Sequence, residues 1–134
     1  MDNILFACVH NAGRSQMAAA WLNKLCNPQK ALGISAGTQP GGHVHPEVVQ
    51  AMQEVGIDLS SARPQLLTTE LATKATLLVT MGCGEACPYV PGLQKLDWPL
   101  PDPKGQSVDA VRSIRDDIRQ RVVVLARERN WLLP

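Results

Sequence analysis

Apolar and polar positions along the 134-residue chain switch between two periods. Residues 3–8, Asn3-Ile4-Leu5-Phe6-Ala7-Cys8, form a short and nearly continuous apolar run, the pattern of a strand buried on both faces. Over residues 15–26 the apolar positions Met17, Trp21, Leu22 and Leu25 recur at helical spacing, which predicts a helix. Residues 31–36 read as a second strand, ended by Gly37. Pro46 then stands where a first helical residue belongs, with Glu47 behind it. Val48, Val49, Met52 and Val55 make the apolar stripe, and Gly56 supplies the stop. A helical turn is expected over 68–73, a buried strand over 76–81 and a further short strand over 95–98. The final stripe is the longest: Val108, Val111, Ile114, Ile118, Val122 and Leu125 fall on one helix face. Arg112, Asp116, Arg119 and Arg127 fall largely on the solvated side.

Strands alternating with helices predict an α/β fold: a three-layer sandwich with a small four-stranded parallel sheet, flavodoxin-like, in one domain spanning 1–134. Ligands of such sheets bind at the carboxyl ends of the strands. Three loops follow predicted strands here, namely 8–14, 83–87 and the Pro-rich stretch ending in Asp102, and all three should open onto one crevice. Composition adds exclusions. Hydrophobic residues at 45% and charged residues at 19% support a packed core. A net charge of +1 and 4% aromatic residues argue against a nucleic-acid surface. No apolar run approaches the roughly 18 residues of a membrane span, and no basic leader opens the chain, so a cytoplasmic protein is expected. Cys8, Cys26, Cys83 and Cys87 are too few for a disulfide scaffold, and cytosolic cysteines of this kind are more often catalytic or metal-binding.

The chemistry concentrates in Cys8-Val9-His10-Asn11-Ala12-Gly13-Arg14-Ser15, a cysteine and an arginine separated by five residues between a strand and a helix. A short loop winding into a helix N-terminus turns backbone N–H groups into its concavity, making an anion nest from Val9, His10, Asn11, Ala12, Gly13, Arg14 and Ser15. Arg14 adds a planar fork suited to two oxygens of a tetrahedral oxyanion. Gly13 eases the turn. The same donors favour the thiolate of Cys8, and the Ser15 hydroxyl is placed to donate to its sulfur. Such a thiolate can attack the central atom of the bound oxyanion.

At these residues the chain resembles the low-molecular-weight tyrosine phosphatase superfamily, and more closely the arsenate reductases built on that fold. Arg14-Ser15-Gln16-Met17-Ala18, Ser35-Ala36-Gly37-Thr38, His45-Pro46, Gly56-Ile57-Asp58 and Asp102-Pro103 extend the resemblance over nearly the whole chain. It implies that Asn11 braces the loop, that Cys8 attacks arsenate (with phosphate or sulfate as analogues), and that Asp102 protonates the departing oxygen. It further implies that a second thiol attacks the Cys8 sulfur. Cys83 and Cys87 are candidate first and second resolvers, with the flanking Gly82 and Gly84 allowing movement. The reductant is expected to be thioredoxin, or a glutaredoxin or mycoredoxin with a small thiol. No cofactor or metal is expected.

The alternative is a phosphatase working through a Cys8 thiophosphate. Phosphotyrosine phosphatases of this superfamily carry aromatic residues after Asp-Pro; here Lys104-Gly105 follows Asp102-Pro103, and the chain has one Tyr and one Phe. A small inorganic oxyanion therefore fits better. Asp97 competes with Asp102 as acid, but its neighbour Trp98 reads as a packing residue. Zinc held by Cys83, Cys87, His43 and His45 lacks a standard spacing. Ala19 and Ala20 replace the acidic position that some members use for potassium. An oxyanion-sensing module without turnover would lack the nucleophile or the arginine, and both are present. His10 is expected to point outward, and Cys26, Trp21 and Trp131 to pack.

Overall fold

The computed structural model describes residues 1–81 and 91–134. Its elements are β1 (Asp2–Cys8), α1 (Arg14–Leu25), β2 (Ala31–Gly37), α2 (Pro46–Gln53), α3 (Thr69–Lys74), β3 (Leu77–Thr80), β4 (Gln94–Asp97) and α4 (Val108–Arg129). The four strands form a parallel sheet in the order β2-β1-β3-β4. Every predicted element is present, with ends shifted by one or two residues. Val55 lies past the end of α2, yet it still packs against the core.

Alternation along β1 sorts the core into two layers, because successive strand side chains point to opposite faces. Ile4, Phe6 and Cys8 face the larger cluster with Met17, Leu22, Val48, Met52, Ile118 and Val122 of α1, α2 and α4. Leu5 and Ala7 face a smaller one with Leu78 and Ala72, which α3 covers. A continuous apolar run is thus required of β1, since neither of its faces meets water. Ser107 starts α4 by accepting from the Ala110 N–H at 3.2 Å, and Asn130 ends it in the left-handed region at φ 63°.

The charged face of α4 is less solvated than its spacing predicts. Arg112 pairs with Glu54 and Asp109, both at 2.6 Å, and the Arg119 guanidinium lies 5.6 Å from the centre of the Trp21 ring. Arg115, outside the apolar stripe, is buried. It donates to the Ala51 carbonyl at 2.8 Å and to Glu54 at 2.9 Å. Helix α2 ends against α4 there; backbone N–H groups serve the carbonyls of Gln50, Met52 and Gln53, and Arg115 supplies the donor to that of Ala51, which an apolar residue cannot do.

The register places the strand ends level. Cys8 is opposite Gly37, Ala7 is opposite Thr80, and Thr80 is opposite Asp97. Loops leaving β1 and β4 therefore start from the same edge of the sheet.

Candidate active site

The loop from β1 to α1 owes its shape to the segment that follows β2. Carbonyls of Cys8, Val9, His10 and Ala12 accept from the N–H groups of Thr38, Gln39, Gly41 and His45 at 2.8–3.3 Å. A peptide plane points its C=O and its N–H in opposite directions, so the amides of Val9, His10, Asn11 and Gly13 are turned away from that segment, toward the inside of the loop. Gly37 makes the approach possible: a Cβ there would lie 2.6 Å from the Val9 carbonyl oxygen and 2.9 Å from the Asn11 nitrogen.

Gly13 has a different task from easing a turn. Its φ is −149°, and the left-handed position in the loop belongs to Asn11, at φ 51°. A Cβ on Gly13 would lie 2.5 Å from Cγ of Pro103. The glycine is therefore the seat on which the Asp102-Pro103 turn rests, and it brings the β4–α4 loop over the β1–α1 loop.

Cys8 is 2% exposed, and its Sγ lies 2.9 Å from Ser15 Oγ. Asn11 Nδ2 donates to the same hydroxyl at 2.7 Å. Since an amide nitrogen only donates, the Ser15 oxygen accepts there and its single proton is free for the sulfur. Arg14 is buried at the start of α1. Its Nη1 donates to the carbonyls of Met81 at 2.6 Å and Leu100 at 3.1 Å, which fixes the guanidinium plane. The expected free fork is thus partly engaged, and Nε and Nη2 carry its remaining donors. Nη2 lies 3.9 Å from Asp102 Oδ2. The other carboxylate oxygen of Asp102 accepts from Lys104 N at 3.0 Å, so a backbone turn and a side-chain contact with Arg14 coexist in one residue. Asp97 Oδ1 instead accepts from Thr80 Oγ1 at 2.8 Å, at the sheet edge.

Of the other predicted residues, His10 turns outward and its Nδ1 lies 3.1 Å from the Gln39 carbonyl. His45, at the start of α2, has its pKa lowered by burial, an effect that the negative charge of Asp102 partly offsets. Cys26 is buried, and burial pushes its thiol pKa up; Trp21 and Trp131 are 3% exposed. Cys83 and Cys87 lie outside the described residues. Among the described residues, no three His, Cys, Asp or Glu side chains are grouped to hold a metal ion. None of their helices is long and apolar enough to cross a membrane. The Phe and Trp side chains among the described residues are all in the core, where Phe6 and Trp98 lie 5.8 Å apart. Sequence reasoning quoted Gln16 without giving it a task and passed over Gln65. Both touch Asn11: Gln16 Nε2 at 3.1 Å and Gln65 N at 2.9 Å from Oδ1.

Residues 3–130 match the model of the low molecular weight phosphotyrosine protein phosphatase family. A putative arsenate reductase of Halobacterium salinarum is 41% identical over 129 residues, covering 93% of this chain and 91% of that protein. Among solved structures, the thioredoxin-dependent arsenate reductase of Corynebacterium glutamicum superposes with a TM-score of 0.83 at 35% identity. That match covers 97% of this chain, which spans 62% of the other. An arginine phosphatase of Geobacillus stearothermophilus superposes with a TM-score of 0.77 at 26% identity, covering 96% of this chain and 92% of that one.

Proposed function

This chain belongs to the low molecular weight phosphotyrosine protein phosphatase family, and from that premise we propose that it is an arsenate reductase whose nucleophile is Cys8. Arsenate sits in the loop of residues 9–15, held by the inward amides and by Nε and Nη2 of Arg14. Cys8 thiolate attacks arsenic, an S–As bond forms, and one As–O bond breaks. Asp102, beside Arg14 at the mouth, gives the departing oxygen its proton. Arg14 and the amides stabilise the negative charge as it develops. A second thiolate then attacks the Cys8 sulfur. The S–S bond forms, and the S–As pair stays on arsenic, which falls from the +5 to the +3 state and leaves as arsenite. Cys83 is assigned this attack. Cys87 then attacks Cys83, which frees Cys8 and leaves a Cys83–Cys87 disulfide for the reductant. Thioredoxin is the assigned donor, by analogy with the thioredoxin-dependent relative, and the reaction is placed in the cytoplasm.

The observation that carries this reading over the phosphatase is the lack of an aromatic wall among the described residues. Phe6, Trp21, Trp98 and Trp131 are each 8% exposed or less, so none can stack on a substrate ring, whereas a tetrahedral oxyanion needs only the donors present. The arginine phosphatase likeness keeps a phosphate ester that needs no aromatic slot as the second reading. Arsenate-dependent NADPH oxidation separates the two, measured with thioredoxin and with a glutaredoxin or mycoredoxin system, alongside p-nitrophenyl phosphate hydrolysis. Turnover with thioredoxin alone is expected. Turnover only with a small thiol and its redoxin would keep the reductase and remove the three-cysteine relay. Ester hydrolysis without arsenate turnover would overturn the reductase.

A further inference from the structure

The polar network beneath the loop extends one residue beyond what the proposed chemistry uses. Gln16, 7% exposed in the first turn of α1, has its Nε2 within hydrogen-bond distance of three acceptors. These are the Asn11 carbonyl at 3.1 Å, Asn11 Oδ1 at 3.1 Å and the Arg63 carbonyl at 3.2 Å. All three only accept, so the side-chain end facing them must be the nitrogen. The orientation of Asn11 is fixed in the same way. Its Oδ1 accepts from the backbone N–H of Gln65 at 2.9 Å, a donor whose identity is not in question. Its Nδ2 is therefore the atom 2.7 Å from Ser15 Oγ. That contact takes a lone pair of the hydroxyl and leaves its proton for Cys8 Sγ, 2.9 Å away.

We infer that Gln16 is a positioning residue for the nucleophile: it clamps the Asn11 carboxamide so that the Ser15 hydroxyl is always the donor, never the acceptor, toward Cys8. The inference rests on Cys8 being the nucleophile. A thiolate only accepts, whereas a thiol facing a donated hydroxyl proton loses its natural bond, so the clamp selects the charged form of the sulfur. Neighbouring dipoles aligned head to tail also strengthen one another in a buried site. Asn11 alone does not guarantee this. It sits at φ 51°, a conformation that costs an L-residue energy unless its surroundings hold it. Gln16 binds both the main-chain and the side-chain oxygen of that residue. The Gln65 N–H binds the side chain only.

The test is the pH profile of Cys8 alkylation by iodoacetamide, read peptide by peptide so that Cys26, Cys83 and Cys87 are followed separately. Gln16→Met keeps the length and removes the donors. Gln16 borders a groove of about 370 Å³ with Asn23, Ser35 and Arg63, into which a thioether can adjust. The profile of Cys8 should move to higher pH, with the neutral-pH rate falling roughly tenfold and the high-pH plateau unchanged. Arsenate kcat/KM at neutral pH should fall with it and recover as pH is raised. In a Ser15→Ala background, Gln16→Met should shift the profile no further, because the hydroxyl through which it acts is gone. An unshifted profile with a lower Tm would make Gln16 a structural brace only and overturn the inference. If Gln16→Met does not fold, Gln16→Asn, which shortens the same amide by one methylene, is read by the same criteria. A wild-type Cys8 no more reactive at neutral pH than buried Cys26 would overturn the nucleophile assignment itself, a distinguishable failure.

Discussion

Two hydrogen-bonded clusters with bonds of the same length do different work in this molecule. Under the β1–α1 loop, Gln16, Asn11, Ser15 and Cys8 are linked at 2.7–3.1 Å, and all four are buried. Between α2 and α4, Glu54 takes bonds from Arg112 and Arg115 at 2.6–3.2 Å, with about a third of its side chain exposed. Bond length does not separate them; the fate of a group that loses its partner does. Around Glu54 and Arg112 water can replace a lost partner, so such a pair contributes little, and the buried Arg115 keeps the Ala51 carbonyl and Asp116. In the buried network a lost partner leaves a desolvated donor or acceptor, at a cost of roughly 1–3 kcal/mol each. Such a network also determines which way every proton points. A site that must hold a sulfur anion and a bound oxyanion needs that directional control. A contact that only joins two helices does not.

The strongest way to break the comparison is to take the sulfur from the buried network. Cys8→Ser keeps a group able to bond with Ser15 but removes the nucleophile. Arsenate turnover should fall below detection while arsenate or phosphate still binds measurably by calorimetry, because the amides and Arg14 remain. Retained turnover would refute the mechanism. Next in size is Asp102→Asn, at the mouth of the same loop. The Lys104 N–H can still find an oxygen there, so the turn should survive, but the proton donor is lost. A fall in kcat of roughly 10²–10⁴ is expected, with little change in Tm. A fall of less than threefold would hand the acid role to another group.

Gly37→Ala sharpens the comparison without removing a hydrogen-bonding group. The new methyl meets the Val9 carbonyl at 2.6 Å, and backbone cannot yield as a flexible side chain does, so the loop must shift. A loss of about 1–3 kcal/mol in urea unfolding is expected, together with weaker oxyanion binding. Full stability with normal binding would mean that the approach of loop and strand is looser than described.

How much of this was visible along the chain depends on how local the cause is. The continuous apolar run of β1 announces a strand buried on both faces, and the five residues between Cys8 and Arg14 announce an anion nest, because strand, loop and helix start are contiguous. Asp102 was legible through the resemblance and the Asp-Pro turn. The task of Gly13 was not, because it comes from Pro103, which lies 90 residues away in sequence and packs where a Cβ would be. The clamp on Asn11 was hidden for the same reason: Gln65 reaches Asn11 across 54 residues, and the Arg63 carbonyl reaches Gln16 across 47. Arg115 was missed because periodicity classes an arginine as solvated, whereas here its guanidinium caps the end of another helix.

The smallest effect belongs to the exposed cluster, and pH is the instrument for it. Hydrogen bonds from Arg112, with a smaller part from Arg115, hold the Glu54 carboxyl at about 2, below its ordinary 4.5. A carboxyl whose folded value is depressed stabilises the protein fully above its unfolded value. That contribution is lost as pH falls through the folded one, because the unfolded chain takes up the proton first. The window here therefore runs from about pH 4.5 down to about 2. Glu54→Gln should lower Tm at neutral pH by only a few degrees, on the order expected for a solvent-screened pair. It should also flatten the acid limb of the Tm–pH curve, so that wild type and variant converge toward pH 2. Arsenate turnover at neutral pH should not change, since neither Glu54 nor its partners touch the loop. Curves that stay parallel down to pH 2 would mean that the ionised carboxylate is not the part of Glu54 that joins α2 to α4.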